Sequence, residues 1–231
     1  MSKIAIMGAM PEEVEPIVAK LDNLKETVYA ANTYYEGLYN GQEVVVAYSK
    51  IGKVFATLTA TILIEKFECD KLLFSGVAGA ISDDLNIGDL IIANGLCQHD
   101  LDITAFGHPF GYVPEGEVCI ATDKSLRDVA KKVAEEKGLT LKEGIIATGD
   151  QFVANPERKE WIATTFNADA LEMEGASVAV VCTALNVPFF ILRAISDSAD
   201  MDAGFDFDAF LESSAKISAD FILSMVDTLE R

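Results

Sequence analysis

Residues 189–197 read FFILRAISD, an apolar run that ends in a serine and an aspartate. Both faces of this run are apolar, which is typical of a strand in a sheet that helices cover on each side. Similar runs recur along the chain and alternate with longer segments of helical periodicity. The predicted strands are Ile4–Met7, Val44–Ser49, Leu72–Ser75, Leu90–Ala93, Ile145–Thr148 and Phe189–Ile195.

The segments between these strands predict helices. Pro11 and the acidic residues that follow it suit the first turn of the first helix, and Asp208 suits the N-cap of the last. This alternation predicts one α/β domain over residues 1–231, built as a three-layer α/β/α sandwich with a mixed, largely parallel central sheet. The predicted helices are Glu12–Leu21, Phe55–Phe67, Ser125–Lys137, Pro156–Phe166, Ala176–Leu185 and Ala209–Leu229.

The composition argues against several classes of function. The chain has 231 residues, half of them hydrophobic, so we expect a sizeable core. Its 37 acidic and 18 basic residues give a net charge of −19, which repels the phosphates of nucleic acids and anionic lipids. We therefore expect neither a nucleic-acid nor a membrane partner. Scattered cysteines and an N-terminal segment that resembles a first strand predict reduced thiols and a cytoplasmic protein.

Ligands of open α/β sheets bind at the carboxyl ends of the strands, and four strand ends here carry unusual residues. The first, Gly8–Glu13, is a tight turn that lacks the second glycine of a dinucleotide-binding motif. Its two glutamates, Glu12 and Glu13, have an alternative role in balancing the helix dipole. The second, Ser75–Ala80, offers backbone amides to a ligand, although it also fits an ordinary turn.

The other two strand ends contain carboxylates in apolar surroundings. Glu172 and Glu174 point to the same side of an extended segment, where buried carboxylates need partners such as vicinal sugar hydroxyls. Asp197 follows Arg193 and Ser196, which are placed to orient its carboxylate, although an aspartate here equally suits the cap of the next element. The coincidence of four such ends favours a small-molecule site.

The two histidines, His99 and His108, do not supply the ligand set of a metal site, so no metal is predicted. The region His99–Gly116 lacks clear periodicity but contains several apolar and aromatic residues. A loop of this length within a domain is usually functional or part of an interface. We therefore expect it to contact another surface, most simply in a two-fold homodimer.

Eight segments together resemble the nucleoside phosphorylase/hydrolase superfamily, and within it the bacterial 5′-methylthioadenosine/S-adenosylhomocysteine nucleosidases. They keep the family's order and span nearly the whole chain. The resemblance implies an α/β/α homodimer that uses no cofactor and cleaves the bond between adenine and ribose with water. Some relatives also accept 6-amino-6-deoxyfutalosine, a menaquinone precursor. The matching segments are residues 8–13, 49–54, 75–79, 99–102, 104–107, 148–152, 172–174 and 193–197.

The resemblance also implies roles for individual residues. Asp197 would protonate N7 of adenine, Glu13 would hold and activate the water, and Glu174 would bind the ribose 2′- and 3′-hydroxyls. An acid on the leaving group and carboxylates near the sugar suit an oxocarbenium-like transition state. The other implied substrate contacts are Ile51, Val77, Ala78, Gly79, Phe152, Val153, Met173, Arg193, Ser196 and Phe207, with Ile103, Phe106 and Pro114 from the neighbouring subunit.

Two other functions fit the same resemblance. A phosphorylase would bind phosphate where the water sits, usually with arginines, whereas the equivalent turn here offers Glu12 and Glu13. Like charges about 4 Å apart repel by about 4 kcal/mol at an effective dielectric of about 20, which favours hydrolysis. A non-catalytic nucleoside-binding protein would lack the acid or the base, whereas Asp197 and Glu13 are both present.

Overall fold

An eleven-stranded mixed sheet forms the centre of the computed structural model, which describes residues 2–200 and 203–229. The order across the sheet is β2-β3-β4-β1-β5-β11-β6-β10-β9-β7-β8, and β11 also pairs with β7. The strands are β1 (Lys3–Gly8), β2 (Asp22–Tyr29), β3 (Asn32–Tyr39), β4 (Gln42–Tyr48), β5 (Lys71–Phe74), β6 (Val77–Ala80), β7 (Leu90–Gln98), β8 (Cys119–Ala121), β9 (Leu141–Thr148), β10 (Ala170–Glu172) and β11 (Phe189–Asp197).

Helices cover both faces of this sheet. The helices are α1 (Pro11–Val18), α2 (Lys53–Glu65), α3 (Lys124–Lys137), α4 (Pro156–Phe166), α5 (Gly175–Leu185) and α6 (Ala203–Leu229). Along β1, Ile4 and Ile6 pack with α1, α3 and α6, whereas Ala5 and Met7 face the layer of α2 and α5. This alternation is the period-two pattern of a strand buried on both faces. Among the described residues, no helix has the length and hydropathy needed to cross a bilayer.

Strand β11 lies at the centre of the molecule and is buried along its whole length. It pairs in parallel with β5 and β6 and antiparallel with β7. The register against β6 shifts between Ile195 and Asp197. Such an irregularity re-aims side chains, and here it brings the consecutive residues Ser196 and Asp197 to the same cavity instead of opposite faces.

The predicted three-layer α/β/α architecture is confirmed, and each predicted strand and helix is present. Several boundaries are wrong: β7 continues to Gln98 instead of ending at Ala93, β9 begins at Leu141 instead of Ile145, and α1 ends at Val18 instead of Leu21. Helix α6 begins at Ala203 instead of Ala209, so Asp208 lies exposed inside the helix and is not its N-cap. The first turns of α6, before Ala209, do not show the apolar spacing of a helix that packs on the core, because Phe207 lines the cavity instead.

Five strands were not predicted from the sequence: β2, β3, β6, β8 and β10. Most of them lack a clear apolar pattern for physical reasons. The strand β2 lies at the edge of the sheet and is almost entirely exposed, so it carries no apolar run. The strands β6, β8 and β10 have only three or four residues each. The region His99–Gly116 is irregular, as predicted, except for a short 3-10 turn at Thr104–Phe106.

Candidate active site

A cavity of about 260 Å³ opens at the carboxyl ends of the central strands. Side chains from the β1–α1 turn, β6 and the end of β11 meet there with residues that follow β9 and β10. Four of the lining residues, Ala9, Met10, Gln151 and Leu171, have no role that was predicted from the sequence, and a fifth, Glu172, was predicted only as a buried carboxylate that needs partners. Twelve predicted site residues line it: Glu13, Ile51, Val77, Ala78, Gly79, Phe152, Val153, Met173, Glu174, Ser196, Asp197 and Phe207.

Glu13 is buried in the first turn of α1, and its carboxylate folds back onto the backbone. Its Oε2 accepts hydrogen bonds from the N–H groups of Ala9 at 2.5 Å and Met10 at 3.0 Å. Its Oε1 accepts one from the N–H of Val77 at 3.1 Å. Burial raises the pKa of Glu13, while the charge of Arg193 and these donors act to lower it. The carboxylate is therefore fixed in place at the cavity surface.

Asp197 is the last residue of β11, and both of its carboxylate oxygens accept hydrogen bonds. Its Oδ1 accepts from the N–H of Ala199 at 2.9 Å, and its Oδ2 accepts from the Ser196 hydroxyl at 2.9 Å. Burial raises the pKa of Asp197, these two donors lower it, and the charge of Asp206 raises it further. A buried carboxyl whose pKa is raised keeps its proton to a higher pH than an exposed one, which suits a general acid.

Glu174 meets the N-terminus of α2. Its Oε1 accepts from the N–H of Gly52 at 2.8 Å. Gly52 has a φ of +101°, a conformation that favours glycine. Burial and the neighbouring charge of Glu172 raise the pKa of Glu174 to about 8. The site therefore holds a third buried carboxyl group beside Glu13 and Asp197.

Two glycines of the 75–79 segment make room for these carboxylates. A Cβ on Gly76 would lie 2.8 Å from Oε1 of Glu13, and a Cβ on Gly79 would lie 2.7 Å from Oδ1 of Asp197. Both separations are shorter than a real Cβ contact, so any larger residue would displace a carboxylate. The small residues of this segment predicted that a ligand can approach the backbone closely. Two of them, Gly76 and Gly79, also leave space for the carboxylates of Glu13 and Asp197.

A buried ion pair lies directly behind the carboxylates. Arg193 Nη2 contacts Glu172 Oε2 at 2.6 Å, and both side chains are almost fully buried. Glu172 also accepts from the Thr148 hydroxyl and from the N–H groups of Glu174 and Gly175. The pair thus fixes the backbone that carries Glu174. The positive charge of the Arg193 guanidinium also acts to lower the pKa of Glu13.

Two residues lie elsewhere than predicted. Arg193 does not line the cavity, because Glu172 holds its guanidinium in the core, so we no longer expect a direct substrate contact. Glu12 is exposed, because successive residues of a helix point about 100° apart. Only Glu13 of the two glutamates reaches the cavity, so the repulsion expected from a pair of glutamates in this turn comes from Glu13 alone.

A hydrogen-bonded cluster holds the N-terminus of α2 beside Glu174. Asp150 Oδ1 accepts from the N–H of Lys53 at 2.8 Å and so caps α2 from a distant segment. The N–H of Asp150 donates to Asp100 Oδ2 at 2.8 Å, and Lys53 Nζ contacts Asp100 Oδ1 at 2.7 Å. We name Lys53, Asp100 and Asp150 the α2 clasp. It positions Gly52, whose N–H binds Glu174.

Asp100 and Asp150 have no role that was predicted from the sequence, although both lie in segments that carry the family resemblance. Their local sequence does not reveal that they bind the first turn of a helix far away in the chain. Glu172 was identified as a carboxylate that needs partners, and the structure supplies Arg193 and Thr148. Only the fold brings these groups together.

The outer wall of the cavity is apolar and open. The ring of Phe152 is 50% exposed and meets the ring of Phe207 edge to face, with centroids 5.7 Å apart. Ile51 is 52% exposed, and Met173 also lines the cavity. Such a wall suits a flat aromatic group and an apolar substituent.

The three residues predicted to serve a neighbouring subunit lie outside the cavity of their own chain. Phe106 is 81% exposed, Pro114 is exposed and Ile103 is partly buried. Their contribution to a partner's pocket stays a prediction.

The fold and the site define a class of protein. The chain belongs to the phosphorylase superfamily, whose family model matches residues 3–227. The family resemblance predicted from the sequence is thereby confirmed. Three buried carboxyl groups in one cavity, at the carboxyl ends of the central strands, agree with an enzyme of this superfamily that acts on nucleosides.

Within the superfamily, the chain is similar to nucleosidases. It is 56% identical to an aminodeoxyfutalosine nucleosidase of Campylobacter jejuni, over 99% of this chain and 100% of that one. It is 41% identical to a 5′-methylthioadenosine/S-adenosylhomocysteine nucleosidase of a Geobacillus strain, again over 99% and 100%. A solved structure of a mutant Helicobacter pylori nucleosidase, with 5′-methylthioadenosine in its active site, superposes with a TM-score of 0.96 at 52% identity, covering 98% and 99% of the two chains.

Proposed function

We propose that this protein is a nucleosidase that hydrolyses the N-glycosidic bond of adenine nucleosides modified at the 5′ position. Its substrates are 5′-methylthioadenosine, S-adenosylhomocysteine and aminodeoxyfutalosine, which the names of its relatives specify. The products are adenine and the corresponding modified ribose. The observation that carries the proposal is the arrangement of Glu13, Glu174 and Asp197 around one cavity.

Asp197 is the proposed general acid. Breaking the glycosidic bond leaves negative charge on adenine, and a proton delivered to N7 makes the base a better leaving group. Because burial raises the pKa of Asp197, a proton is available on its carboxyl closer to neutral pH. The Ser196 hydroxyl and the N–H of Ala199 keep this carboxyl aimed at the cavity.

Glu13 is the proposed base that holds the attacking water. Three backbone donors fix its carboxylate, so it needs little reorganisation when the water approaches the sugar. Its negative charge also stabilises positive charge that develops on the ribose. The buried guanidinium of Arg193 favours the charged form of Glu13.

Glu174 is the proposed ligand of the ribose 2′- and 3′-hydroxyls. A carboxylate accepts hydrogen bonds through both of its oxygens, which suits two neighbouring hydroxyl donors. The N–H of Gly52 already binds Oε1 and orients the group. Met173 is placed under the sugar, and Phe152, Val153, Val77, Ala78 and Gly79 surround the purine in this proposal.

Hydrolysis is preferred to phosphorolysis because of the charges that line the cavity. Among the described residues of the lining there is no lysine or arginine, whereas four carboxyl groups are present. The nearby cation, Arg193, is already paired with Glu172. A phosphate dianion would therefore meet the Glu13 carboxylate with no unpaired cation to bind it, whereas a neutral water needs no cation.

We further propose a cytoplasmic homodimer built from one nucleosidase domain per chain. Phe106 is 81% exposed and Val54 of α2 is 75% exposed, and Phe55 and Leu58 extend the apolar surface of that helix. An apolar surface of this kind suits a two-fold interface. In such a dimer, Ile103, Phe106 and Pro114 would reach the 5′ substituent of the substrate that is bound in the neighbouring subunit.

The test is release of adenine by the purified protein from each of the three nucleosides, with inosine as the control. Adenine from the 5′-modified adenine nucleosides, and no base from inosine, supports the proposal. Tight binding of 5′-methylthioadenosine without adenine release would instead identify a nucleoside-binding protein. The ratio of kcat/KM among the three substrates ranks their 5′ groups.

A further inference from the structure

Cys97 in β7 and Cys119 in β8 are direct partners in an antiparallel pair of strands. In the same register Thr122 lies opposite Asn94, and the Thr122 N–H donates to the Asn94 carbonyl at 3.3 Å. Hydrogen-bonded and non-hydrogen-bonded pairs alternate along such strands, so the two cysteines occupy a non-hydrogen-bonded position. Cα atoms there are about 4.5 Å apart, within the range of about 4.4–6.8 Å that disulfides span.

Both thiols lie on the same face of the sheet. Cys97 belongs to an apolar cluster with Val153, and Cys119 packs against that cluster. Their chain neighbours Leu96 and Ile120 belong to the cluster on the opposite face, as alternation along a strand requires. The register and the packing therefore agree that the two sulfur atoms face one another.

The two thiols are unequal in a way that suits oxidation. Cys119 is half-buried, and a hydrogen bond from the Cys97 thiol lowers its pKa. Cys97 is buried, and the same contact raises its pKa. Cys119 is the more exposed of the two thiols, so peroxide reaches it first, and Cys119 is the thiol whose thiolate attacks. Burial raises the pKa of Cys69 and of Cys182 to about 12, and both lie in the other cluster.

We propose that Cys97 and Cys119 form a redox-active pair that hydrogen peroxide converts into a disulfide. The Cys119 thiolate attacks one peroxide oxygen, the O–O bond breaks, and the departing hydroxide takes a proton to become water. The Cys97 sulfur then attacks the sulfenic acid on Cys119, the S–S bond forms, and hydroxide leaves with the Cys97 proton as a second water. Two thiols lose two electrons in total, and one peroxide is reduced to two waters.

The bond would close the base of the segment 98–118, which joins β7 to β8. Strand β8 has three residues at the end of the strand order and pairs with β7 in the described part of the chain. A covalent link would therefore restrict its separation from the sheet. This consequence rests on the proposed function in one respect, because the segment carries Phe106, which we assign to a neighbour's pocket.

The first experiment maps the bond in the full chain. Reduced protein is exposed to graded hydrogen peroxide, digested without reductant and analysed by mass spectrometry. We expect a peptide pair linked through Cys97 and Cys119, lighter by two hydrogen atoms and separated again by a thiol reductant. The same link should form in a Cys69→Ser/Cys182→Ser variant. Oxidation of Cys119 to sulfinic acid without a link, or links among all four cysteines alike, would overturn the proposal.

Two variants test the order of attack. Cys97→Ala should leave a sulfenic acid on Cys119 that a dimedone probe labels, whereas Cys119→Ser should leave Cys97 unlabelled. Trp161, the single tryptophan, packs against the same cluster, so its fluorescence should change on oxidation of the wild type but not of Cys119→Ser. Dimedone labelling of Cys97 in Cys119→Ser would reverse the assigned roles and contradict the proposal.

The consequence is measured by limited proteolysis within segment 98–118. Cleavage reports how often a segment opens, and the disulfide should slow it by about tenfold relative to the reduced protein. Cys119→Ser treated with peroxide should be cleaved at the reduced rate. Equal cleavage of both wild-type forms would contradict the constraint. Adenine release, measured in parallel, tests the proposed function separately, since the disulfide can form in a protein that releases no adenine.

Discussion

The floor of the cavity and its rim are built in different ways. On the floor, Glu13, Glu174 and Asp197 are each no more than 5% exposed, and each accepts hydrogen bonds from the backbone of its own chain. On the rim, Ile51 and Phe152 are about half exposed. Among the described aromatic contacts, the ring of Phe152 meets the ring of Phe207. The floor is thus organised within one chain, whereas the rim leaves apolar surface for a ligand or a second subunit to cover.

This difference separates two tasks. Groups that move protons must be held rigidly, because electrostatic stabilisation depends on dipoles that are already aligned. Groups that cover a variable 5′ substituent benefit from an open, apolar surface that accepts several shapes. Substitutions on the floor should therefore change turnover, while substitutions on the rim should change substrate preference or assembly.

The largest expected effect is that of Asp197→Asn. The change is nearly isosteric, so the fold and substrate binding should survive, but the amide cannot deliver a proton to N7. General acid catalysis contributes about 10²–10⁴-fold, and we expect a loss in kcat toward the upper end of that range. Single-turnover adenine release measures it, with Asp208→Asn on the exposed face of α6 as the control. Turnover within tenfold of the wild type would remove Asp197 from the acid's role.

Glu174→Gln should cost less. Two charge-assisted hydrogen bonds to the ribose are at risk, each contributing about 1.5–3 kcal/mol, so kcat/KM should fall by at least about tenfold. A 2′-deoxy substrate should be poor with the wild type and should lose less on mutation. Comparing kcat/KM for the two substrates in both proteins measures the coupling. Equal losses would show that Glu174 does not bind the 2′-hydroxyl.

The same substitution should stabilise the protein without ligand. The pKa of Glu174 is about 8 in the folded state against an ordinary value of 4.5, so the unfolded chain binds fewer protons between these two pH values. Stability is therefore lost as the pH rises through this window, and Glu174→Gln should remove a few kcal/mol of that loss. Denaturant unfolding from pH 5 to 8.5 tests the sign. A stability difference that shrinks with rising pH would contradict it.

On the rim, Phe106→Asp should weaken the proposed dimer and lower activity together. An aspartate would be buried without a partner at the interface, and we expect about a tenfold loss of activity at low protein concentration. Sedimentation beside a rate assay across protein concentration measures both quantities. A monomeric mutant with full activity would rule out a shared site. A wild type that is monomeric at micromolar concentration would rule out the dimer.

The smallest expected effect tests the link between α2 and the floor. Asp150→Ala removes the cap on the Lys53 N–H, so α2 should hold the Gly52 amide less firmly against Glu174. Loss of one cap costs about 1 kcal/mol, which corresponds to about a fivefold loss in kcat/KM. Asp150→Asn retains an acceptor and should restore most of it. A deoxy substrate should be affected less than the ribo substrate, whereas a general loss of stability would affect both equally.

Much of this molecule was predictable from sequence because its central strands are apolar on both faces. The run at 189–197 predicted a buried strand that ends in Asp197, and the structure has both features. The acidic residues at 172–174 predicted buried carboxylates, since their neighbours are apolar. The ends of the central strands meet at one edge of the sheet, so residues distant in sequence were expected to share a site.

Other features depend on distances that no local pattern encodes. The polar edge strand β2 lacks an apolar run because it faces solvent. Glu12 and Glu13 are equivalent in sequence, and only the helical rotation decides that Glu13 alone reaches the cavity. Arg193 suits a substrate contact by its position, but its ion pair with Glu172 becomes visible only in the fold.

The central claim is that the floor activates water and not phosphate. The most direct measurement follows adenine release from 5′-methylthioadenosine in ¹⁸O-labelled water, with and without inorganic phosphate. We predict that the released sugar carries one ¹⁸O at C1 and that phosphate leaves the rate unchanged. A rate that depends on phosphate, with the sugar recovered as its 1-phosphate and free of ¹⁸O, would contradict the account.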